Sequence, residues 1–301
     1  LDCQTGPVPV FGFRFDAMHR RPDSASLLPC SIIFYSVPII LFYQLFIHRY
    51  LIFNLSLSDF QKKYIKNNLG LTWAILDPVA FVVIMYFVFG PRYGDKGANA
   101  IPFYVYLVTG YIAYELFNNS VMTICTTIKE HSFLLNKVSF RSAILPIVTL
   151  VSNLMVHLVV LGICFFVLII NKIYPSWYWV QLIYYIFALA VFVIAVGWLT
   201  SSIYLFFPDV RNILSIITRI LFFVTPIFWK MEGLPPVNQF ILKFNPVYYI
   251  VNGYRECLLT HTWFWERPVI TGYFWLVCLT FLVIGVAVFK KLRPHFADVV
   301  A

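Results

Sequence analysis

Long apolar runs alternate along this chain with short connections rich in charge, proline or glycine. Runs bounded in this way predict helices near 73–90, 101–125, 143–170, 180–206, 212–229 and 269–289. Each approaches the roughly 20 apolar residues that a helix needs to cross the hydrocarbon of a bilayer. An even number of spans puts both flanks on one side. In LSLSDFQKKYIKNNLG, just upstream, Leu57, Phe60, Tyr64 and Ile65 recur at helical spacing, while Lys62, Lys63 and Lys66 take the remaining surface. That pattern predicts an amphipathic interfacial helix within 48–72. The stretch KFNPVYYIVNGYR at 243–255 breaks the rule, because its apolar run ends at Arg255 and Glu256 far short of a span.

The first 47 residues fit this scheme poorly. LLPCSIIFYSVPIILFYQLFI at 27–47 is uncharged and long enough to span, yet it holds Pro29 and Pro38, and a seventh span would move the N-terminal flank across the membrane. The segment reads either as an extra or interfacial apolar element or as a poorly ordered extension. It has no evident small-residue cleavage site of a signal peptide.

Composition settles the broad class. Charged residues make up 12% of the chain, hydrophobic residues 61%, and mean hydropathy is +0.82, whereas soluble domains carry about 25% charge. The chain therefore reads as a polytopic membrane protein. Its net charge of +9 follows mainly from the connections. Arg49, Lys62, Lys63, Lys66, Lys129, Lys137, Arg141, Arg211, Lys290, Lys291 and Arg293 fall on one side; Arg92, Lys96 and Lys172 fall on the other. The positive-inside bias places both flanks in the cytoplasm and makes no case for nucleic acid. The six cysteines form no CxxC pair, so small buried residues are expected in place of a disulfide framework or metal site.

Catalytic motifs are missing. There is no GxxxxGK[ST] loop, HExxH or GxSxG, and GPRYGDKG at 90–97 has the wrong spacing for a phosphate cradle. Work on a substrate would then draw on an ion gradient or a partner ATPase. Glu115 and Arg219, inside predicted spans, are expected to pair or to face the protein interior. As a proton relay they make a thin case for an ion-coupled flippase. A membrane glycosyl or phosphoryl transferase would need a carboxylate cluster that Asp209 alone does not provide.

Several stretches in order resemble the permease subunit of ABC-2 type exporters of cell-surface polysaccharide: DFQKKYIKNNLGLTWAILDPV at 59–79, VFG at 88–90, YLVTG at 106–110, FFPDVRN at 206–212, ITRILFFVTPIFW at 217–229, KFNPVYYIVNGYRECLLTHTWF at 243–264 and FADVV at 296–300. The RILFF..PI.W run and the C-terminal third look most like wall teichoic acid permeases, within a family that includes O-antigen and capsule permeases. Where similar permeases carry Trp and an apolar residue, this chain has Tyr114-Glu115, which leaves the role of Glu115 open.

The resemblance implies an all-α membrane domain over 73–289 with six transmembrane helices per protomer, a re-entrant helical pair over 234–260, and a cytoplasmic tail over 290–301. It implies a homodimer in the bacterial plasma membrane, docked on two copies of an ATPase subunit that binds ATP and Mg. The cargo would be an undecaprenyl-pyrophosphate-linked polymer. Lys62, Lys63 and Lys66 would attract its head group. Trp73, Phe81, Tyr86, Phe89, Tyr104, Tyr111, Tyr114, Phe222, Phe223, Phe228 and Trp229 would offer aromatic faces to sugars. Ile128, Phe133, Leu134 and Lys137, in the 126–140 stretch, would couple to the ATPase together with Asp209 and Arg211. Arg255 and Glu256 would lie at the external mouth.

Overall fold

The computed structural model describes residues 49–65, 70–93, 101–135, 142–229, 231, 234–296 and 299. Among them every regular element is helical: α1 Arg49–Phe60, α2 Gly70–Tyr93, α3 Phe103–Glu130, α4 Leu145–Ile170, α5 Leu182–Tyr204, α6 Val210–Val224, α7 Pro236–Lys243, α8 Pro246–Arg255 and α9 Pro268–Leu292. Six of these overlie the six predicted apolar runs. Three stretches, Ser142–Ile170, Trp177–Tyr204 and Pro268–His295, are long and apolar enough to cross a membrane, and α2 carries a shorter apolar segment, Ile75–Phe89. The protein is thus a multi-pass membrane protein. The expectations for residues 1–47 lie outside the described residues.

Helix α3 is the centre of the packing, touching α2, α4, α5, α6 and α8. Most of its side chains are buried, from Phe103 to Ile128. Its neighbours α4 and α5 are almost uniformly apolar, so sequence hydropathy finds them easily. Helix α9 packs chiefly on α5. Contacts between helices use hydrogen bonds as well as apolar packing, as expected where lipid removes the hydrophobic advantage of helix association. Thr127 and Thr149 hydroxyls meet at 2.7 Å, and Asn153 Nδ2 donates to Thr123 Oγ1 at 2.8 Å.

Prolines set the helix starts. Pro146, Pro236, Pro246 and Pro268 stand in the first turns of α4, α7, α8 and α9, where a missing N–H costs nothing. Asn245 caps α8 by accepting from the Val247 N–H at 2.9 Å.

Two boundaries differ from the sequence reading. The predicted span over 101–125 continues to Glu130, so residues 126–130 finish α3, and the turn Ser132–Leu135 follows. The predicted span over 212–229 stops at Val224, because Thr225 turns to an extended conformation ahead of Pro226. Proline disfavours a helical residue before it.

At the other end, α1 runs into a π-helical turn, Gln61–Ile65. Tyr50, Leu51 and Phe53 are exposed, and the face toward α4 carries Ile52, Ser56 and Asp59. Ser56 Oγ donates to the Val148 carbonyl at 3.0 Å. Tyr50, Leu51 and Phe53 of α1 therefore point away from α4. The chain re-enters α2 at Gly70, whose φ is +40°; a Cβ there would stand 2.2 Å from the Tyr64 carbonyl oxygen. Only glycine permits that approach.

Candidate functional site

Three features surround α3, and each begins with a residue that an apolar helix bundle would not choose without cause.

The first is a polar crevice of about 250 Å³ between the π turn, α2, α3 and α4. Tyr64, Asp77, Pro78, Glu115, Asn119, Asn153 and His157 line it, with apolar wall from Ile112, Leu116, Val156 and Val160. Asn119 Nδ2 donates to Glu115 Oε1 at 2.6 Å, as the i, i+4 spacing allows. Tyr111 and Asp77 both lie within electrostatic range of the Glu115 carboxyl group. His157 Nε2 meets the Tyr254 hydroxyl at 3.0 Å, joining the crevice wall to α8. Pro78 sits inside α2, where it removes one rung of the helical ladder.

The expected approach of Glu115 to Arg219 is not made. Tyr114, one residue earlier, is the side chain that faces α6, and its hydroxyl donates to the Thr218 carbonyl. A step of one residue turns a helical side chain by about 100°. Glu115 is therefore aimed into the crevice, and Arg219, next to Thr218, lies on the exposed side of α6.

The second feature is an aromatic seam. Phe81 of α2 stacks on Tyr111 of α3 at 4.0 Å and meets Phe222 of α6 edge-on at 5.5 Å. Tyr114 contacts Phe222 at 5.2 Å, and Phe89 contacts Phe228 at 5.0 Å. Tyr86 and Phe223 present exposed rings. Tyr86 meets Tyr104 edge-on at 5.8 Å. Trp229 donates to the Phe223 carbonyl at 3.2 Å. The side chain of Trp73 lies outside the described residues.

The third feature is a clasp at Arg255, which is only 4% exposed. Its guanidinium donates to the carbonyls of Pro226 and Ile227 at 2.5 and 2.7 Å, to the Tyr106 hydroxyl at 2.9 Å and to the Tyr106 carbonyl at 3.2 Å. It also covers the Tyr106 ring at 3.6 Å. Gly110 makes room: a Cβ there would stand 2.2 Å from the guanidinium. Arg255 thus does not open onto an external mouth. It satisfies the carbonyls set loose where α6 breaks, as apolar surroundings require of irregular backbone. Glu256, also buried, pairs with Arg267 at 2.5 Å and accepts from Asn252 at 2.6 Å.

The remaining candidates separate by exposure. Ile128 is fully buried in α3, so it cannot fill a groove on another subunit, whereas Phe133 is 57% exposed. Asp209 and Arg211 are exposed at the start of α6. Lys62 is exposed, and Lys63 pairs with Asp59 at 2.9 Å. Lys66, Lys137 and the side chain of Leu134 lie outside the described residues. Sequence reasoning missed Asp77, Asn119, Asn153 and His157. Asp77 was a legible signal, an acid inside an apolar run; the two amides and the histidine acquire meaning only when α3 and α4 are brought together.

A family model described as "ABC-2 type transporter" matches residues 50–259. The chain belongs to the ABC-2 type transporter family. It is 25% identical over 243 residues to the O-antigen export system permease protein RfbA of Klebsiella pneumoniae, covering 80% of this chain and 92% of that protein. It is 22% identical to the RfbA permease of Myxococcus xanthus over 85% of this chain and 97% of that one. It is also 22% identical to the polysialic acid transport protein KpsM of Escherichia coli, over 78% and 91%. The ABC-2 match spans α1 to the π-helical turn that closes α8, and so includes crevice, seam and clasp.

Proposed function

We propose that this chain is the membrane permease of an ATP-driven exporter that moves lipid-pyrophosphate-linked surface polysaccharide across the bacterial plasma membrane. The observation that carries the reading is the ABC-2 family match across the helical domain, with relatives named for O-antigen export and polysialic acid transport. The permease acts as a homodimer on two ATPase subunits, both flanks facing the cytoplasm, with Phe133 and the Asp209–Arg211 turn toward the ATPase.

Two cargo readings compete. The 217–229 run and the C-terminal third favour wall teichoic acid; the names of the relatives favour O-antigen or capsule. The deciding experiment reconstitutes permease and ATPase in vesicles and measures ATP hydrolysis with a lipid-linked polyol-phosphate polymer and with a lipid-linked neutral glycan. Stimulation by the first alone selects teichoic acid, and by the second alone the other branch. Export that persists without the ATPase and collapses with a protonophore would replace this reading by an ion-coupled flippase.

A further inference from the structure

The crevice is a built site that the exporter role, taken alone, does not explain. Its walls offer acceptors and donors spread around a space: Asp77 and Asn119 are exposed at its edge, and Glu115 is held by Asn119. A carboxyl group has more acceptor capacity than that one bond uses, so Glu115 keeps an oxygen free to accept. Among the described residues no three His, Cys, Asp or Glu converge as metal ligands. Separated acceptors and amides interleaved with apolar wall suit a ring that bears several hydroxyls and has hydrophobic faces. The volume, about 250 Å³, lies just under the roughly 300 Å³ at which small-ligand pockets begin. It admits one ring and excludes a polymer.

Charge is ordered along the entrance. Tyr64, on the crevice edge, belongs to the same π turn as Lys62 and Lys63. An anionic group is therefore drawn to the turn and disfavoured among the acceptor oxygens of Asp77 and Glu115 within. A ligand with phosphate first and sugar next matches that order.

From this juxtaposition we propose that the crevice between the π turn, α2, α3 and α4 binds the first sugar ring of a polyprenyl-pyrophosphate-linked saccharide, with Asp77 and Glu115 accepting its hydroxyls and Lys62 holding the pyrophosphate. The inference rests on the exporter reading and adds to it a recognition step for the lipid-proximal sugar.

The test uses the full chain in nanodiscs and two probes, farnesyl pyrophosphate and its N-acetylglucosamine ester. The parent should bind the sugar ester about tenfold more tightly than the bare pyrophosphate, the scale of one hydrogen bond to a charged acceptor. D77N and E115Q together should remove that preference without weakening farnesyl pyrophosphate binding. V156W, which fills the crevice from the α4 wall without touching a charge, should do the same. K62Q should weaken both probes equally. Thermal unfolding identifies any variant that has lost its fold; D77N alone, at an exposed position, must still lower the preference. A parent that binds both probes equally overturns the sugar site and leaves the exporter reading standing. Binding of free N-acetylglucosamine as tight as that of the ester would overturn the lipid-linked assignment. Loss of phosphatidylethanolamine binding in D77N/E115Q with the sugar preference intact would make the crevice a lipid site. Failure of the parent to bind either probe would overturn both readings.

Discussion

A guanidinium held by carbonyls and a phenol, and lying over the Tyr106 ring, ties three segments that are distant in sequence. Removing it strands the Pro226 and Ile227 carbonyls, and a buried unsatisfied group costs about 1–3 kcal/mol. Arg255→Met strands both carbonyls and should therefore destabilise by roughly 2–6 kcal/mol. Arg255→Lys should fall between, since an ammonium cannot reproduce the planar fork. Gly110→Ala should be nearly as damaging as Arg255→Met, because its methyl enters the space of the guanidinium. The double change should cost less than the sum, a coupling that denaturant titration reads directly. Glu115 and Arg219 give the opposite expectation. They sit on different faces, so Glu115→Gln and Arg219→Met should add within about 0.5 kcal/mol. The sequence marks both as charges in apolar runs but carries no information on which face each takes against a neighbour. That depends on the register of α3 with α6.

At the scale of elements, what was legible followed from hydropathy and proline. The cores of α4, α5 and α9 are apolar runs that a one-dimensional scan finds, and prolines mark the starts of α4, α7, α8 and α9; the half-length pair α7 and α8 was expected from the family resemblance. The end of α6 was missed because VTPIFW remains apolar through the break, and only backbone geometry at Thr225 ends the helix. At 15 residues and 1.5 Å per residue, α6 is about 22 Å long, short of the roughly 30 Å hydrocarbon core. The buried segment that follows supplies the rest of the wall. The coupling stretch was half legible: its exposed turn was read correctly as lying outside the apolar spans, while Ile128 was placed with it although it belongs to α3. This separates two substitutions of similar chemistry. Phe133→Asp should abolish co-purification with the ATPase and leave the unfolding temperature unchanged. Ile128→Asp should unfold the permease, since an acid without a partner would enter the centre of the packing. Equal loss of both properties in both variants would remove the docking role of Phe133.

For the whole molecule, the decisive quantity is the asymmetry of Lys and Arg between the two ends of the helices. That asymmetry carries the proposed orientation without reference to any side-chain contact. In the proposed orientation the turn at Asp209 and the start of α2 face the cytoplasm, and the α4–α5 connection, with Tyr174 and Trp177 exposed at 66% and 84%, faces outward. Tyr and Trp are the residues that collect at membrane interfaces. Cys125, Cys164, Cys257 and Cys278 are all buried, so replacing these and the two N-terminal cysteines, Cys3 and Cys30, by Ala or Ser leaves a background in which new thiols report position. In intact cells a membrane-impermeant maleimide should label Tyr174→Cys and leave Asp209→Cys untouched. In inside-out vesicles the two should exchange behaviour. Labelling of Asp209→Cys from outside would invert the protein and move crevice, basic turn and coupling turn together to the outer face. An ATPase could not reach them there, so this single measurement bears on orientation and on the proposed source of energy at once.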